Sequence, residues 1–485
     1  MGRIGIYGGT FNPPHRGHMQ AARQAVELLN LDKLLLIPDH APPHKTMPEG
    51  TPAAQERLEL VRLTAREIPR AEASDLELLR EGRSYTADTV ELLHRTYPGD
   101  ELFLLMGTDM FLAFPQWREP ETICRYATLV VMLREREEPK LQQELQAQAQ
   151  HIRKKLDGKV KFLKNEALPM ASTDVRRMLT FQAVGDMLTP AVLERIRTFG
   201  FYGVGRDLRA LPMELLEAEV VRLLDPKRVP HVLGCRDTAA KLAEQYGANV
   251  TDAARAGLLH DVTKALPPEL QLQLCREYGI PLDPFSRDNP KTLHATTGAW
   301  VAKRIFGENE AVFQAIASHT TGCGHMNPLQ KIIYIADYME PNRDFPGVER
   351  LRAAVDRDLD LAVLLGLEMT VEMLRHQGRR VARDSLEAMV PRQGAPIGRV
   401  NHTGCKSLKS SLGVERTVLT APPAPSPNIL TSARRNGQGR SLRRNEKEKA
   451  YVDIKRSGRC CNQGLGQQEG RGDSAHPRRG CDHAG

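Results

Sequence analysis

The stretch that decides the fold is residues 3–27, RIGIYGGTFNPPHRGHMQAARQAVE. Its first five residues alternate apolar side chains with glycine, which is typical of a short buried strand. Gly8 and Gly9 follow and let the backbone approach a ligand without a Cβ in the way. Two prolines stiffen the loop, and His15 and His18 then lie one turn apart as a helix begins. Because a helix N-terminus favours anions, this unit predicts a polyphosphate-binding site.

The alternative is an ordinary strand–helix turn with two surface histidines. The complete string GGTFNPPHRGH argues against it, since it is neither a Walker A loop nor a G-x-G-x-x-G fingerprint. It resembles the H-x-G-H signature of the nucleotidyltransferase superfamily and, in its longer form, the nicotinate-nucleotide adenylyltransferases of bacterial NAD synthesis. The resemblance implies an ATP site that includes Gly8, Gly9, Thr10, Phe11, His15 and His18.

The next 150 residues alternate apolar strands with amphipathic helices. We predict strands at 33–38, 101–106 and 127–133, and helices at 52–68 and 87–95. This alternation indicates an α/β domain with a mostly parallel, Rossmann-like sheet. Ligands of such sheets bind beyond the carboxyl ends of the strands, so the loops that follow the strands should converge.

Later loops extend the resemblance in chain order. From the residues alone, we would interpret Ser172 and Arg176 as a plain helix cap with a surface arginine in preference to a phosphate clamp. Trp117 is equally a core aromatic or a ligand contact. The family's I-S-S-T-x-I-R signature departs here only at Met170 and Ala171 among its first four residues. The further site residues that the resemblance implies are His44, Lys45, Thr86, Gly107, Asp109, Trp117, Ser172, Thr173 and Arg176.

The implied reaction is an in-line attack of nicotinate mononucleotide on the α-phosphorus of ATP, with Mg²⁺. No protein nucleophile is required, because catalysis consists of positioning and of charge neutralisation by the histidines, Lys45 and Arg176. An adenylyltransferase for another acceptor, such as phosphopantetheine, is the alternative. The F-N-P-P-H string and Trp117 favour nicotinate mononucleotide.

From residue 214 the strand patterns disappear and helical periodicity predicts an all-α domain. Helices are expected at 214–224, 232–246, 251–260, 294–306, 311–318 and 329–339. Histidines and aspartates with metal-ligand character occur in or beside them, namely His231, His260, Asp261, His294, His319 and Asp337. Alone, each histidine would be a helix cap or a surface residue. Imidazoles and carboxylates together suit iron or manganese.

This ordered set resembles the HD superfamily of metal-dependent phosphohydrolases. Segments 229–233, 256–264, 318–322 and 331–343 resemble its YqeK family, which cleaves diadenosine tetraphosphate to two ADP. The resemblance implies one metal on His231, His260, Asp261 and Asp337, and a second on His294, His319 and a bridging Asp261. Lys264 and Arg343 are then expected to contact phosphate. The alternatives are a general nucleotidase, a cyclic-dinucleotide phosphodiesterase or a non-catalytic helical domain that binds RNA or a partner.

Basic charge is concentrated at the C-terminal end, where 17 basic and 7 acidic residues follow residue 397. This segment is rich in proline, glycine and arginine and cannot bury a core, so we predict a disordered tail. It is either a nucleic-acid-binding arm or the product of a frameshift or read-through, and we favour the second interpretation.

Cysteine usage and the length of the apolar runs indicate where in the cell the protein is located. The 8 cysteines form no C-x-x-C pair, and no apolar run is long enough to span a membrane or to act as a signal peptide. We therefore expect a cytoplasmic protein, and the sequence leaves its oligomeric state open. The predicted boundaries are 1–205 for the adenylyltransferase domain, 206–397 for the HD domain and 398–485 for the tail.

Overall fold

The structure is a computed structural model that describes residues 1–40, 47–80, 85–133, 139–166, 168 and 170–390 of the 485-residue chain. His44 and Lys45 of the predicted ATP site lie outside these residues, and so does the whole predicted tail. The described chain folds as an α/β part followed by a helical part, which confirms the predicted fold class.

A six-stranded sheet forms the centre of the first part. Every pair of neighbouring strands is parallel, and the strand order is β3-β2-β1-β4-β5-β6. The strands are β1 Arg3–Gly9, β2 Lys33–Pro38, β3 Ala71–Ala73, β4 Glu101–Gly107, β5 Ala127–Leu133 and β6 Val160–Lys164. β1 runs two residues further than predicted because Gly8 and Gly9 pair with Ile37 and Pro38.

Helices connect these strands and cover the sheet. They are α1 Arg16–Leu28, α2 Ala54–Ala65, α3 Thr86–Thr96, α4 Thr108–Ala113, α5 Pro120–Tyr126, α6 Pro139–Lys155, α7 Ser172–Thr180 and α8 Pro190–Phe199. Two buried clusters lie against the sheet, one that includes Ile6 and Phe111 and one that includes Leu36 and Phe103.

The second part is helical throughout its described residues. Its helices are α9 Met213–Leu223, α10 Val229–Tyr246, α11 Val250–Leu259, α12 Pro268–Tyr278, α13 Pro284–Asp288, α14 Leu293–Arg304, α15 Glu310–Ser318, α16 Pro328–Met339, α17 Val348–Val355, α18 Leu359–His376 and α19 Arg383–Ala388. α10 begins three residues earlier than predicted, since Pro230 is tolerated in a first turn, and His231 lies inside the helix. None of the described helices combines the length and the apolar character needed to cross a membrane.

One hydrophobic core joins the two parts. Phe181 and Met187, which follow α7, are buried in the same cluster as Leu216 of α9 and Ile316 of α15. A side-chain hydrogen bond crosses the junction as well. Gln273 of α12 donates to the carbonyl oxygen of residue 183 at 2.8 Å. The first part is therefore packed onto the helical part, and the boundary predicted at residue 205 remains a prediction.

Candidate functional sites

The first candidate site lies where the sheet order changes direction. From β1 the chain passes to β2 and β3 on one side and then returns to β4 on the other. Gly8 near the end of β1 and Gly107 at the end of β4 lie at the same edge, because the strands are parallel. A Cβ added at either glycine would meet no described atom within 4 Å. Both strands therefore end at open space, which is where parallel sheets bind ligands.

The imidazole rings of His15 and His18 are in contact at the start of α1. Their ring centroids are 3.7 Å apart, and Gly17 permits this, since a Cβ there would lie 3.1 Å from the ring of His15. The backbone N–H of His15 donates to Nδ1 of His18 at 3.2 Å. The proton of a neutral His18 is consequently on Nε2, which can donate to an anion.

Burial controls the charge of both imidazoles. It lowers the pKa of His18 to about 4. Burial and the neighbouring His18 lower the pKa of His15 well below its ordinary value. Nδ1 of His15 is buried without a hydrogen-bond partner among the described residues. At pH 7 both rings are neutral hydrogen-bonding groups, whereas the sequence suggested basic residues that neutralise phosphate charge.

The second signature segment packs onto the loop that leads to His15. Ser172 Oγ donates to the carbonyl oxygen of Pro13 at 3.0 Å, and Arg176 Nη1 donates to that of Asn12 at 2.7 Å. Arg176 Nη2 also donates to Thr173 Oγ1 at 3.1 Å. The structure thus brings these three predicted residues together with the histidine loop across about 160 residues of sequence.

Arg57 of α2, which the sequence reasoning missed, joins two loops of the site. Its side chain is only 1% exposed. It donates to the carbonyl oxygen of Thr10 at 2.8 Å, to that of Asp39 at 2.7 Å, and to that of His40 at 3.0 Å. Thr10 Oγ1 also donates to Asp39 Oδ2 at 2.8 Å. The only signal in the sequence was a charged residue on the apolar face of a helix.

The residues predicted to contact the nucleotide that accepts AMP lie on the β4 side of the site. Thr86 is the first residue of α3, and Asp109 is exposed in the first turn of α4. Trp117 is half-buried and lies 5.5 Å from Phe114 between ring centroids. The side chain of Phe11, also predicted at the ATP site, is buried, and its ring centroid lies 5.1 Å from that of His18.

The second candidate site is a cluster of imidazoles and carboxylates in the helical part. His231 Nε2 lies 3.2 Å from Asp337 Oδ1 and 3.7 Å from Asp261 Oδ2. His260 Nε2 lies 3.8 Å and 3.5 Å from the same two oxygens. Atoms that bind one ion at roughly 2.1 Å are about 3.0–3.5 Å from each other, so these four atoms have nearly the spacing of one coordination sphere.

The other oxygen of Asp261 faces a second group. Asp261 Oδ1 lies 3.4 Å from His294 Nε2 and 3.7 Å from His319 Nε2, and these two nitrogens are 3.1 Å apart. Asp261 therefore lies between two sets of ligand atoms, with one oxygen directed to each. The bridging role of Asp261 between two metals, which the family resemblance implies, stays a prediction.

Hydrogen bonds fix the orientation of three of the imidazoles. His260, His294 and His319 each donate from Nδ1 to a backbone carbonyl oxygen three residues earlier, at 2.7 Å in each case. The lone pair of each neutral ring is thus on Nε2 and faces the cluster. Among the described residues, His260 Nε2 and Asp261 Oδ1 are buried without a hydrogen-bond partner.

The protonation states are those of metal ligands. Burial lowers the pKa of His260 to about 4 and that of His294 to about 3. Burial alone would raise the pKa of Asp261, but the positive charges that face this carboxylate, among them that of Lys264, hold it well below its usual range. Neutral imidazoles and ionised carboxylates with orphaned, converging atoms fit divalent metal ions.

Cys235 lies beside this cluster and was not singled out in the sequence. Its Sγ is 3.8 Å from Nε2 and 3.9 Å from Nδ1 of His231, and 3.7 Å from the carbonyl oxygen of Ala336. Because the sulfur is equidistant from both ring nitrogens, it lies beside the ring and not along the direction of the Nε2 lone pair. We therefore assign Cys235 to packing.

Three cations surround the carboxylates of the cluster. Arg228, which the sequence reasoning missed, pairs with Asp261 Oδ2. Arg343 donates to Asp337 Oδ1 at 2.5 Å. Lys264 Nζ lies 2.8 Å from His294 Nε2. The predicted phosphate contacts Lys264 and Arg343 are thus at the site, and a third cation accompanies them.

Comparison with known proteins gives both sites a context. The Cytidylyltransferase-like family model matches residues 6–178, and the HD domain model matches residues 228–342. A protein of Neisseria meningitidis described as a probable nicotinate-nucleotide adenylyltransferase is 34% identical over 203 residues, which are 42% of this chain and 99% of the relative. One of Pseudomonas syringae pv. tomato with the same description is 37% identical over 209 residues, 41% of this chain and 93% of the relative.

One solved structure is also similar to part of the chain. A crystal structure from Clostridium acetobutylicum, described as a predicted HD superfamily hydrolase involved in NAD metabolism, is 38% identical, covers 37% of this chain and 95% of its own, and has a TM-score of 0.36. The HD match contains His231, the adjacent His260 and Asp261, and Asp337. The Neisseria relative is matched over nearly its whole length, so the N-terminal part of this chain belongs to the nicotinate-nucleotide adenylyltransferase family, and an HD domain follows it.

Proposed function

We propose that the chain is a bifunctional enzyme that makes one adenylylated nucleotide and hydrolyses another. The N-terminal part transfers AMP from ATP to nicotinate mononucleotide, giving deamido-NAD and pyrophosphate. The HD part hydrolyses diadenosine tetraphosphate to two ADP with a divalent metal, iron or manganese. The first activity is the one named in the descriptions of the relatives above. The second goes further than the HD domain match, because it names a substrate and its products.

The observation that carries the first activity is the convergence of the histidine loop and α7 at the open edge between β1 and β4. In the proposed reaction a phosphate oxygen of nicotinate mononucleotide bonds to the α-phosphorus of ATP, and the bond to pyrophosphate breaks. His18 Nε2 and the guanidinium of Arg176 supply donors for the phosphates, and Mg²⁺ would arrive with the nucleotide. Trp117 and Thr86 are proposed to hold the pyridine ring of the acceptor.

The observation that carries the second activity is the bridging geometry of Asp261. His231, His260, Asp261 and Asp337 would hold one metal, and His294, His319 and Asp261 a second. When bound, such metals supply positive charge that stabilises a phosphoryl transition state. Arg228, Lys264 and Arg343 add three cations beside two ligand carboxylates. This excess of positive charge suits a polyphosphate bridge better than a single phosphate group.

Product chromatography on the intact protein tests both activities. One reaction contains ATP, Mg²⁺ and nicotinate mononucleotide, and the other contains diadenosine tetraphosphate and Mn²⁺. His15→Ala is expected to abolish only the transfer, and Asp261→Ala only the hydrolysis. Loss of both activities in either variant would contradict two independent sites, and AMP plus ATP as products would contradict symmetrical cleavage.

The cellular location and the domain boundaries are proposed here as the sequence predicts them. We propose a cytoplasmic location and the domain boundaries 1–205, 206–397 and 398–485. A nucleic-acid-binding tail is the interpretation that we do not favour. Digestion of the full chain with trypsin tests the tail: rapid loss of residues beyond about 397 is expected, and protection of the tail without any ligand would contradict its proposed disorder.

A further inference from the structure

One imidazole in the cluster of imidazoles and carboxylates is held differently from the others. His260, His294 and His319 donate from Nδ1 to backbone carbonyl oxygens, whereas His231 Nδ1 lies 3.0 Å from the carboxylate oxygen Oε1 of Glu340. Glu340 follows α16 directly, and its side chain is only 1% exposed. A carboxylate accepts and does not donate, so the proton of His231 is on Nδ1 and its Nε2 lone pair faces Asp337 and Asp261.

The surroundings of Glu340 hold its carboxylate in one orientation. Its other oxygen, Oε2, accepts from the backbone N–H of Asn342 at 2.7 Å and from Asn342 Nδ2 at 2.9 Å. Asn342 Nδ2 also donates to the carbonyl oxygen of Pro230, next to His231. A Cβ at Gly234 would overlap Oε2, so a glycine one turn along α10 leaves room for the carboxylate.

Burying a carboxylate is costly unless a partner compensates it. Within the described part of the chain, His231 is the one basic side chain within ion-pair distance of Glu340. The carboxylate lies on the Nδ1 side of the ring, away from the converging ligand atoms, and is therefore no ligand itself. A carboxylate behind a ligating imidazole fixes its tautomer and increases its basicity.

We propose that Glu340 is a positioning residue of the metal centre, which acts through His231 and sets the affinity of the first metal position. The inference rests on the metal-dependent hydrolase proposed above and adds a residue to it. Glu340 also ends α16, and a purely structural role would change the stability of the protein without changing its affinity for metal.

The test is Mn²⁺ binding to the full-length, chelator-treated protein by calorimetry. Glu340→Gln is expected to weaken Mn²⁺ binding at the first metal position by about 10–100-fold, as other outer-shell substitutions do. Glu308→Gln is the matched control. Glu308 is also a buried carboxylate, but it pairs with Arg255 and precedes α15, whereas His319 follows that helix. We expect the control to retain the wild-type affinity. Adenylyl transfer by the same samples should be unchanged and reports that they are folded.

Two results would overturn the inference: an affinity of Glu340→Gln within twofold of wild type, or an equal loss in Glu308→Gln. If Glu340→Gln loses adenylyl transfer and is unfolded, Asn342→Ala provides the test. It removes the Nδ2 hydrogen bonds to Oε2 and to the carbonyl oxygen of Pro230 but keeps the backbone N–H bond and the carboxylate. A weakening of about 2–10-fold is therefore expected, and an unchanged affinity contradicts the proposal. A wild-type protein that binds no Mn²⁺ would instead refute the proposed metal-dependent hydrolase, together with this inference.

Discussion

Replacing Phe181 by alanine tests whether the α/β part and the helical part share one cooperative structure. The ring of Phe181 is fully buried in the cluster that joins the residues after α7 to the HD helices. Its carbonyl oxygen accepts a hydrogen bond from the hydroxyl of Tyr278, in α12, at 2.5 Å. Truncating a buried phenylalanine to alanine lowers the free energy of unfolding by about 3–5 kcal/mol, because it removes apolar contacts and leaves a cavity.

The resulting change in melting temperature depends on how many residues unfold together. At about 2.1 cal/mol/K per residue, a unit of about 390 residues has an unfolding entropy near 0.8 kcal/mol/K, so Phe181→Ala lowers its Tm by about 4–6 °C. If about 200 residues of the first part unfolded alone, the same loss would lower the Tm of that part by about 7–12 °C. The melting temperature of the second part would then not change.

Differential scanning calorimetry of the full chain distinguishes these outcomes. We expect a single transition that moves by the smaller amount, with both activities lost across it. Phe111→Ala is the matched control, since Phe111 is fully buried in a cluster built only by the sheet part. It should move the same transition. Two transitions, of which each variant moves only one, would refute the shared core as a cooperative unit.

Three further predictions follow from individual contacts. Arg57→Leu removes the buried guanidinium that pairs with Asp39 and donates to three carbonyl oxygens in two loops, so we expect a loss of about 3–5 kcal/mol in urea unfolding and a higher KM for ATP; unchanged values of both would contradict the role of Arg57 in joining the loops. Burial holds the pKa of folded His18 at about 4, below its unfolded value of about 6.5. The unfolded state therefore binds more protons in this window, and the contribution of His18 is complete above about pH 6.5 and is lost as the pH falls towards 4, by up to about 1.4 kcal/mol per pH unit. Urea unfolding at about pH 7, 5.5 and 4 measures this slope, and His18→Gln should reduce it. Lys264→Met removes a cation that lies 2.8 Å from His294 Nε2 at the second metal position, so a second Mn²⁺ should bind at least about tenfold more tightly in calorimetry, and an unchanged second affinity would count against this.

The local elements of both sites were predictable because they depend on short-range patterns. The strand, glycine turn and helix of residues 3–27 occur as expected, since chain stiffness, helix capping and apolar alternation act between near neighbours. The ordered histidines and aspartates also converge as predicted. The strands β3 and β6 were missed, as one has only three residues and the other alternates lysines with apolar residues.

The supporting residues could not be predicted from spacing. The role of Arg57 depends on its contacts with Thr10 and Asp39, which follow β1 and β2 and are placed beside it only by the fold. Glu340 is one glutamate among many until α10 is placed beside the end of α16, 109 residues away from His231 in sequence. The neutrality of His15 and His18 also needed the structure, because it is burial that lowers their pKa values.

The sequence by itself determined where the residues with reactive side chains lie: a histidine loop at the end of a strand in a parallel sheet, and a set of imidazoles and carboxylates in or beside helices. These features depend on residue types and short spacings, which can be read directly from the sequence. Only the tertiary structure decided that one oxygen of Asp261 faces each ligand group, that a buried carboxylate stands behind His231, and that a single core joins the two parts. The physical reason is that these features depend on contacts between residues far apart in sequence, whose positions are set by the packing of the whole molecule.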